Sequence, residues 1–448
     1  MTPSSFGWIN VARLGLVQTM LGAIIVLMTS TINRVMVVEL ALPALVPGLL
    51  MASHYAVQIL RPAWGYGSDV GGRRTPWIIG GMAALTLGAI GAALGTAVAA
   101  TSTPLGVALA ALSFLLVGVG AGSAGTSVLA MLATRVEPRR RAAAASAVWM
   151  MMIVGFAISA PLAGHFLDPF SNARLIAVTA TVSLGAFLLA TCAVWGVEVG
   201  PGATPNRAIH AAPKSNFLRA LAEIWREPAA RQFTIFIFAS MLAYGAQELL
   251  IEPFAGLVFG MTPGSTTELA GLQHGGVLTG MIGVAIAASA IGGPILGSLR
   301  LWTISGCAAS AGMLFWISAC GVFSLPPDAF RVAVFLLGVS NGAFAVAAIS
   351  SMMSLAGSGA GSREGTRMGL WGAAQAIAFG LGGVVATACV DFARLLSAPP
   401  LAAYALVFIL EGALFIAAAV LASAVSGVPS DNRNRRERAP QGLLSIGS

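Results

Sequence analysis

Nine ionisable side chains lie within, or at the ends of, long apolar stretches of this 448-residue sequence. They are Arg34, Glu39, His54, Arg61, His165, Glu248, Glu252, His274 and Glu411. Charged groups are costly in hydrocarbon, so those that persist there usually bind a ligand, relay protons or pair with one another. Glu248 and Glu252 are four residues apart and share one helix face, where two carboxylates repel each other unless a cation intervenes. Arg34 is the candidate cation, and the alternative is an ion pair with a purely structural role.

The histidines leave three roles open. A neutral imidazole can bind a metal centre, relay protons or simply hydrogen-bond within a helix bundle. His54 and His274 are the stronger ligand candidates, because they occupy similar places near the starts of two apolar segments. The sequence has no phosphate loop, no HExxH, no GxSxG and no acidic DxxxD pair. We therefore expect no catalytic residue and no metal bound by the protein itself.

Composition identifies the class of protein. The apolar set makes up 57% of the residues and charged residues only 9%, against about 25% charged in a globular chain. Twelve apolar segments follow one another, each long enough to cross a bilayer as a helix: 11–32, 44–64, 76–100, 104–134, 142–167, 172–196, 231–258, 270–298, 301–324, 330–356, 368–390 and 401–426. The sequence thus predicts an all-α polytopic membrane protein with twelve transmembrane helices.

Positive charges predict the orientation. With the N-terminus inside, nineteen of the 24 Lys and Arg residues fall on the cytoplasmic side, four fall on the other side, and Arg61 lies within a span. Because positive loops avoid translocation, both termini are expected in the cytoplasm. Anionic lipid headgroups account for the net charge of +8 without a nucleic acid partner. The four cysteines contain no CxxC pair and are read as small buried side chains.

A long polar interval divides the spans six and six. We predict an N-terminal six-helix bundle over 1–196, a cytoplasmic linker over 197–230, a C-terminal six-helix bundle over 231–426 and a basic tail over 427–448. Apolar residues at helical spacing from Phe217 to Trp225 predict a short amphipathic helix in the linker.

The loop between spans two and three carries a motif, GYGSDVGGRRTPW. Its motif residues are Gly65, Asp69, Gly72, Arg73 and Arg74. They resemble the G-x-x-x-D-x-x-G-R-R loop of the major facilitator superfamily, which implies two six-helix bundles around a central cleft. The same resemblance implies that the loop is a cytoplasmic latch between the bundles. Arg135 is a candidate partner for the acid of that loop.

Two further segments resemble a narrower family. STINRVMVVELALPA, from Ser30 to Ala44, and QELLIEPFAGLVFGM, from Gln247 to Met261, are similar to segments of the PucC-type proteins of photosynthetic bacteria. The resemblance implies a non-enzymatic factor of the inner, intracytoplasmic photosynthetic membrane. Such a factor would bind bacteriochlorophyll or a precursor and deliver it to light-harvesting polypeptides. Pigment ligands would come from the set His54, His274, Glu39 and Glu252.

Two other functions stay open. One is a proton-coupled secondary transporter of a small amphiphile or pigment precursor, with Glu248, Glu252 or Glu39 carrying the proton. The other is a non-catalytic subunit of bacteriochlorophyll synthase, which the short termini favour within the resembled family. Because the sequence lacks a diphosphate-binding motif, a partner enzyme would then supply catalysis.

Overall fold

The computed structural model describes residues 6–61, 64, 73–137, 140–198, 225–288, 293–358 and 364–424. Over these residues the chain is all-helical, with twelve helices that we number in chain order. They are α1 (Trp8–Glu39), α2 (Leu45–Leu60), α3 (Thr75–Ala99), α4 (Thr103–Arg135), α5 (Arg141–Leu167), α6 (Asn172–Val194), α7 (Pro228–Phe259), α8 (Pro263–Ala287), α9 (Leu299–Val322), α10 (Pro327–Ser358), α11 (Glu364–Leu395) and α12 (Pro400–Ala424). A single helical turn, Gly293–Leu296, precedes α9. The predicted all-α polytopic class is confirmed.

Eleven of these helices are long and apolar enough to cross a membrane, and α2 is a shorter apolar helix in the described part of the chain. The predicted boundaries of the eighth span, 270–298, were wrong. Its helix, α8, begins at Pro263 because the Thr262 side chain accepts a hydrogen bond from the Ser265 N–H, 3.2 Å away, and caps the helix. His274 consequently lies well inside α8 and not at its start.

Each half of the chain has its own buried core. Large apolar side chains of α1 to α6 form one cluster, and those of α7 to α12 form another. The second core contains the largest fully buried aromatic residues, including Trp371, Phe254 and Phe408. Each six-helix set thus packs mainly on itself, and the predicted domain bounds stay a prediction. The predicted amphipathic helix of the linker and the basic tail lie outside the described residues, apart from Trp225.

The two halves meet along two seams, α5 against α8 and α2 against α11. Small residues let the backbones approach closely there. A Cβ atom on Gly164 of α5 would lie only 2.6 Å from the carbonyl oxygen of Gly264 on α8. Gly48 of α2 packs in the same way against the side chain of Thr387 on α11. Both seams are therefore tight enough for polar groups on one half to reach backbone groups on the other.

Successive helices run in opposite directions, so the helix ends define two faces of the molecule. We call the face where α1 begins, at Trp8, the near face, and the face where α1 ends, at Glu39, the far face. The turns that join α1 to α2, α5 to α6, α7 to α8 and α11 to α12 all lie on the far face.

Candidate functional site

α1 changes from an α-helix to wide, π-helical turns over Leu27–Ile32 and again over Val35–Glu39. Such insertions are rare and often lie at functional sites. The segment is rich in β-branched residues, which are weaker helix formers than leucine or alanine. Five polar side chains of the segment are buried: Thr29, Ser30, Thr31, Asn33 and Arg34. The wide turns thus bring a polar cluster to the place where α1 meets α7 and α8.

This polar cluster is bonded across the halves. The hydroxyls of Thr31 and Thr267 on α8 are 2.9 Å apart. The Asn33 side-chain amide donates to the carbonyl oxygen of Leu249 on α7, also at 2.9 Å. Both bonds lie in the half of the molecule closer to the far face. Polar residues of the first helix therefore hold the two halves together there.

Arg34 is the charged centre of the cluster and only 3% of its side chain is exposed. Its guanidinium forms an ion pair with Glu39 on the same helix and donates to the carbonyl oxygen of Met261 at 2.6 Å. Gly256 of α7 makes room for it, since a Cβ there would lie 3.1 Å from the guanidinium nitrogens. Arg34 lies against α7, as expected from the sequence. Its acidic partner, however, is Glu39 and not the predicted pair of Glu248 and Glu252.

Glu248 and Glu252 share a face of α7, as their spacing predicted. Glu252 is 3% exposed, and its Oε2 has no hydrogen-bond partner among the residues that the structure describes. Glu248 is half-buried and lies within electrostatic reach of the Tyr55 and Tyr244 phenols. Within the described part of the chain neither carboxylate forms an ion pair. The five intramembrane charges singled out from the sequence therefore do not form one ion-pair network there.

His54 is enclosed in the first half, 2% exposed. Its Nε2 accepts a hydrogen bond at 2.8 Å from the side-chain amide of Gln58, whose oxygen accepts one from Arg61. In a neutral ring with Nε2 as acceptor the proton is on Nδ1, and that atom is buried with no partner in the described ranges. Arg61, Gln58 and His54 thus form a chain of hydrogen bonds that leaves no free lone pair on the imidazole.

His274 presents the opposite arrangement. Its Nδ1–H donates at 2.8 Å to the carbonyl oxygen of Ala270, one turn earlier on α8. The ring packs edge-on against Phe156 of α5, with centroids 4.7 Å apart, so it lies at the seam between the halves. Because Nδ1 carries the proton, Nε2 carries the lone pair and is available as a ligand.

The remaining two intramembrane candidates have other surroundings. Glu411 of α12 is 4% exposed, and in the described part of the chain neither of its oxygens has a hydrogen-bond partner. His165 is exposed near the far end of α5, where its ring contacts Phe166 edge-on. The structure places neither residue beside the Arg34 cluster, and His165 faces outward.

The near-face loop is described only in part, because Gly65, Asp69 and Gly72 lie outside the described residues. Arg73 is exposed at its end, and the Arg74 guanidinium donates to the carbonyl oxygen of Ala130 on α4 at 2.7 Å.

The Arg135 guanidinium donates to the backbone oxygen of Glu198 at 3.5 Å. Its predicted pairing with Asp69 stays a prediction, because Asp69 lies outside the described residues. The Glu198 carboxylate caps α3 by accepting from the N–H groups of Arg74 and Thr75, at 2.5 and 2.9 Å. Burial raises the pKa of this carboxyl, but these hydrogen bonds and the charge of Arg135 outweigh it and hold the pKa below its ordinary value.

Three carboxylates with clear structural roles were missed by the sequence analysis: Asp168, Glu198 and Asp391. Each accepts hydrogen bonds from the first backbone N–H groups of a helix that is distant in sequence. The available signal was their position next to a helix end, where a carboxylate is favoured beside the N-terminus of a neighbour. Sequence alone does not identify that neighbour.

Comparison with solved structures identifies the fold. The chain superposes on the nucleoside transporter NupG with a TM-score of 0.70 and 11% identity, covering 93% of this chain and 100% of that one. It superposes on a proton dependent oligopeptide transporter with a TM-score of 0.69 and 17% identity, covering 95% and 99% of the two chains. At these identities the likeness concerns the fold alone, and it confirms the predicted facilitator-like architecture.

Sequence comparison is more specific. The model of the PUCC protein family matches residues 31–428. The chain is 51% identical to the "Bacteriochlorophyll synthase 44.5 kDa chain" of Rhodobacter capsulatus, over 94% of this chain and 96% of that one. It is 31% identical to "Protein PucC" of Cereibacter sphaeroides, over 91% and 90% of the two chains. With its multi-pass helical fold, the chain belongs to the PucC protein family.

Proposed function

We propose that this chain binds bacteriochlorophyll, or a precursor of it, inside the membrane and delivers it to light-harvesting polypeptides. The observation that carries the proposal is the 51% identity, over almost the whole chain, to a relative named as a chain of bacteriochlorophyll synthase. A pigment with a flat apolar ring and a hydrocarbon tail cannot travel through water. A membrane protein that shields it between synthesis and assembly meets that requirement.

His274 is the residue proposed to hold the pigment. The central magnesium of a chlorin takes an axial nitrogen donor, and histidines that ligate metals typically donate their other N–H to a carbonyl or carboxylate. The bond from His274 to Ala270 has that form and leaves Nε2 with its lone pair. His54 fits poorly, since Gln58 occupies its Nε2 and its Nδ1 is buried. No group of three or more metal-ligating side chains occurs among the described residues, so the magnesium would arrive with the pigment.

The proposed role is not enzymatic. Bacteriochlorophyll synthase is the proposed supplier of the pigment, light-harvesting polypeptides are the proposed acceptors, and lipids surround the exposed apolar helix faces. We place the chain in the inner photosynthetic membrane. The near face, which carries most of the positive charge in the sequence, is proposed to be cytoplasmic.

A second candidate function is proton-coupled transport of a small amphiphile or pigment precursor. The observation that favours it is Glu252, a buried carboxyl on α7 with an unpartnered oxygen, in a fold shared with transporters. A third is a non-catalytic subunit of bacteriochlorophyll synthase, which the name of the Rhodobacter capsulatus relative favours.

The deciding experiment is purification in mild detergent from a bacterium that makes bacteriochlorophyll, followed by an absorption spectrum and mass spectrometry of what accompanies the protein. The proposal predicts a bound chlorin near one molecule per chain. It predicts co-purification of the synthase only if the subunit role holds. A colourless protein that drives uptake of a solute into sealed vesicles, abolished by a protonophore, would instead establish the transporter.

A further inference from the structure

Two aspartates on the far face each bind the start of a helix that belongs to the other half. Asp391, near the end of α11, accepts hydrogen bonds from the backbone N–H groups of Ala44 and Leu45, at 3.0 and 2.8 Å, where α2 begins. Asp168, directly after α5, accepts one from the N–H of Gly264 at 3.1 Å, where α8 begins. It also accepts one from the Thr262 hydroxyl at 2.5 Å.

These two contacts are equivalent in the two halves. In both, the acid comes from the far end of the fifth helix of one half, and the N–H groups come from the first residues of the second helix of the other half. The first N–H groups of a helix lack partners within it, and a carboxylate satisfies them while interacting favourably with the helix dipole. Two caps at equivalent helix ends of the two halves indicate a feature of the duplicated fold.

The position of the two caps determines which movement of the halves they can restrict. Both cross the boundary between the halves, at the two seams where α5 packs on α8 and α2 packs on α11. Separating the halves at the far face would leave all three N–H groups, those of Ala44, Leu45 and Gly264, without their acceptors. Gly264 contributes to the fit, because any side chain there would collide with the carboxylate of Asp168.

The Arg34 cluster adds to the same closure. Its bonds to Met261, Leu249 and Thr267 also join the halves in the part of the molecule close to the far face. In contrast to the two aspartates, these groups lie inside the helix packing. Among the described residues, the aspartates are therefore the outermost of these polar contacts between the halves.

We infer that Asp168 and Asp391 form a two-point latch that holds the far face closed and sets the equilibrium between closed and open forms there. The latch acts through two charge-assisted caps, so its strength depends on both carboxylates. This inference does not depend on the identity of the cargo. It would apply equally to a pigment carrier and to a transporter, since both must control access to the interior.

The test measures the width of the far face directly. In a variant whose four cysteines are replaced by alanine, single cysteines at Ala173 and Leu396, which are both exposed on the far face of opposite halves, carry spin labels. Pulsed electron paramagnetic resonance then gives the distance distribution between them. Asp168→Asn and Asp391→Asn keep the size of each side chain and remove its charge, and the alanine variants also remove the acceptor.

The expected result is a second, longer distance whose population rises at least about tenfold in the Asp168→Asn, Asp391→Asn double variant. The single variants should lie between it and the parent, and the alanine variants should exceed the asparagine variants. Glu198→Gln is the matched control, because Glu198 caps α3 within one half and on the near face. Its far-face distances should not change.

An unchanged distribution in a double variant that still folds would overturn the latch. A widening of the same size in Glu198→Gln would overturn it as well, because loosening would then be general. Should the double variant fail to fold, the single variants decide the question in the same way.

Discussion

The Nδ1–H of His274 donates to the carbonyl oxygen of Ala270 at 2.8 Å, which leaves Nε2 of the same ring as a lone-pair donor at the seam between α5 and α8. His54 has the reverse arrangement, with Nε2 bonded to Gln58 and Nδ1 buried. Two histidines that looked alike in the sequence are thus chemically different in the fold.

His274→Leu should therefore lower the amount of chlorin that co-purifies with the protein by about tenfold or more, on the scale of losing a metal-site interaction. His54→Leu is the matched control, with an expected occupancy within about twofold of the parent. Absorbance of the extracted pigment per mole of protein measures both. Full occupancy in His274→Leu would remove His274 as the ligand. Equal loss in both variants would point to general misfolding, which size-exclusion profiles would reveal.

Glu252→Gln separates the pigment carrier from the transporter. Because His274 and not Glu252 is the proposed ligand, we expect pigment occupancy and antenna levels within about twofold of the parent. If the chain is a proton-coupled transporter, Glu252→Gln should abolish proton-driven uptake in sealed vesicles. The antenna level in cells and the uptake rate in vesicles are the two measurements, with Glu39→Gln, a partly exposed carboxylate on α1, as the comparison variant. Lost uptake with normal folding would favour the transporter.

Much of the fold was predictable because a membrane helix obeys a length rule, and twelve apolar segments of sufficient length were visible. The start of α8 was not recognised, since Ser265, Thr266, Thr267 and Glu268 read as a polar loop. The Thr262 cap and Pro263 in the first turn were the signals for a helix there. Polar residues at the start of a membrane helix are compatible with helical structure when they are buried against a neighbour.

The site was less predictable for a different reason. Arg34 pairs with Glu39, five residues later, because the π-helical turns change which residues of α1 lie on one face. The sequence patterns that predict a helix do not predict a π-helical turn. Asp391 acts on Leu45, 346 residues away in the chain, so no local spacing could reveal the contact. Which imidazole nitrogen is free depends on a neighbouring carbonyl or amide, and that is a property of the packed structure.

Arg34→Met should destabilise the protein by about 1–3 kcal/mol, because the change leaves the Met261 carbonyl oxygen without its donor in a buried place. Glu39→Gln should cost less, since 35% of the Glu39 side chain is exposed and water can replace part of the interaction. Thermal unfolding in detergent, followed by circular dichroism, gives the order of the two variants. An Arg34→Met protein as stable as the parent, or a larger loss in Glu39→Gln, would contradict the arrangement.

The cap that Glu198 provides predicts a pH dependence of stability. The pKa of this carboxyl in the folded protein lies below its ordinary value of 4.5, because the N–H groups of Arg74 and Thr75 and the charge of Arg135 favour the ionised form over the effect of burial. Its contribution is therefore present above the unfolded pKa and is lost as the pH falls through the lower, folded pKa.

Glu198→Gln should lower the unfolding midpoint at pH 7, with a loss of about 1 kcal/mol as for other helix caps. The difference between variant and parent should shrink as the pH falls below 4.5 and should vanish once the carboxyl is protonated in both states. Unfolding measured from pH 7 down to pH 3 tests this. Arg73→Gln, which removes an exposed charge next to the start of α3, is the control. The difference between this variant and the parent should not shrink as the pH falls. A Glu198→Gln deficit that stays constant over the whole range would mean that the carboxylate charge plays no part in the cap.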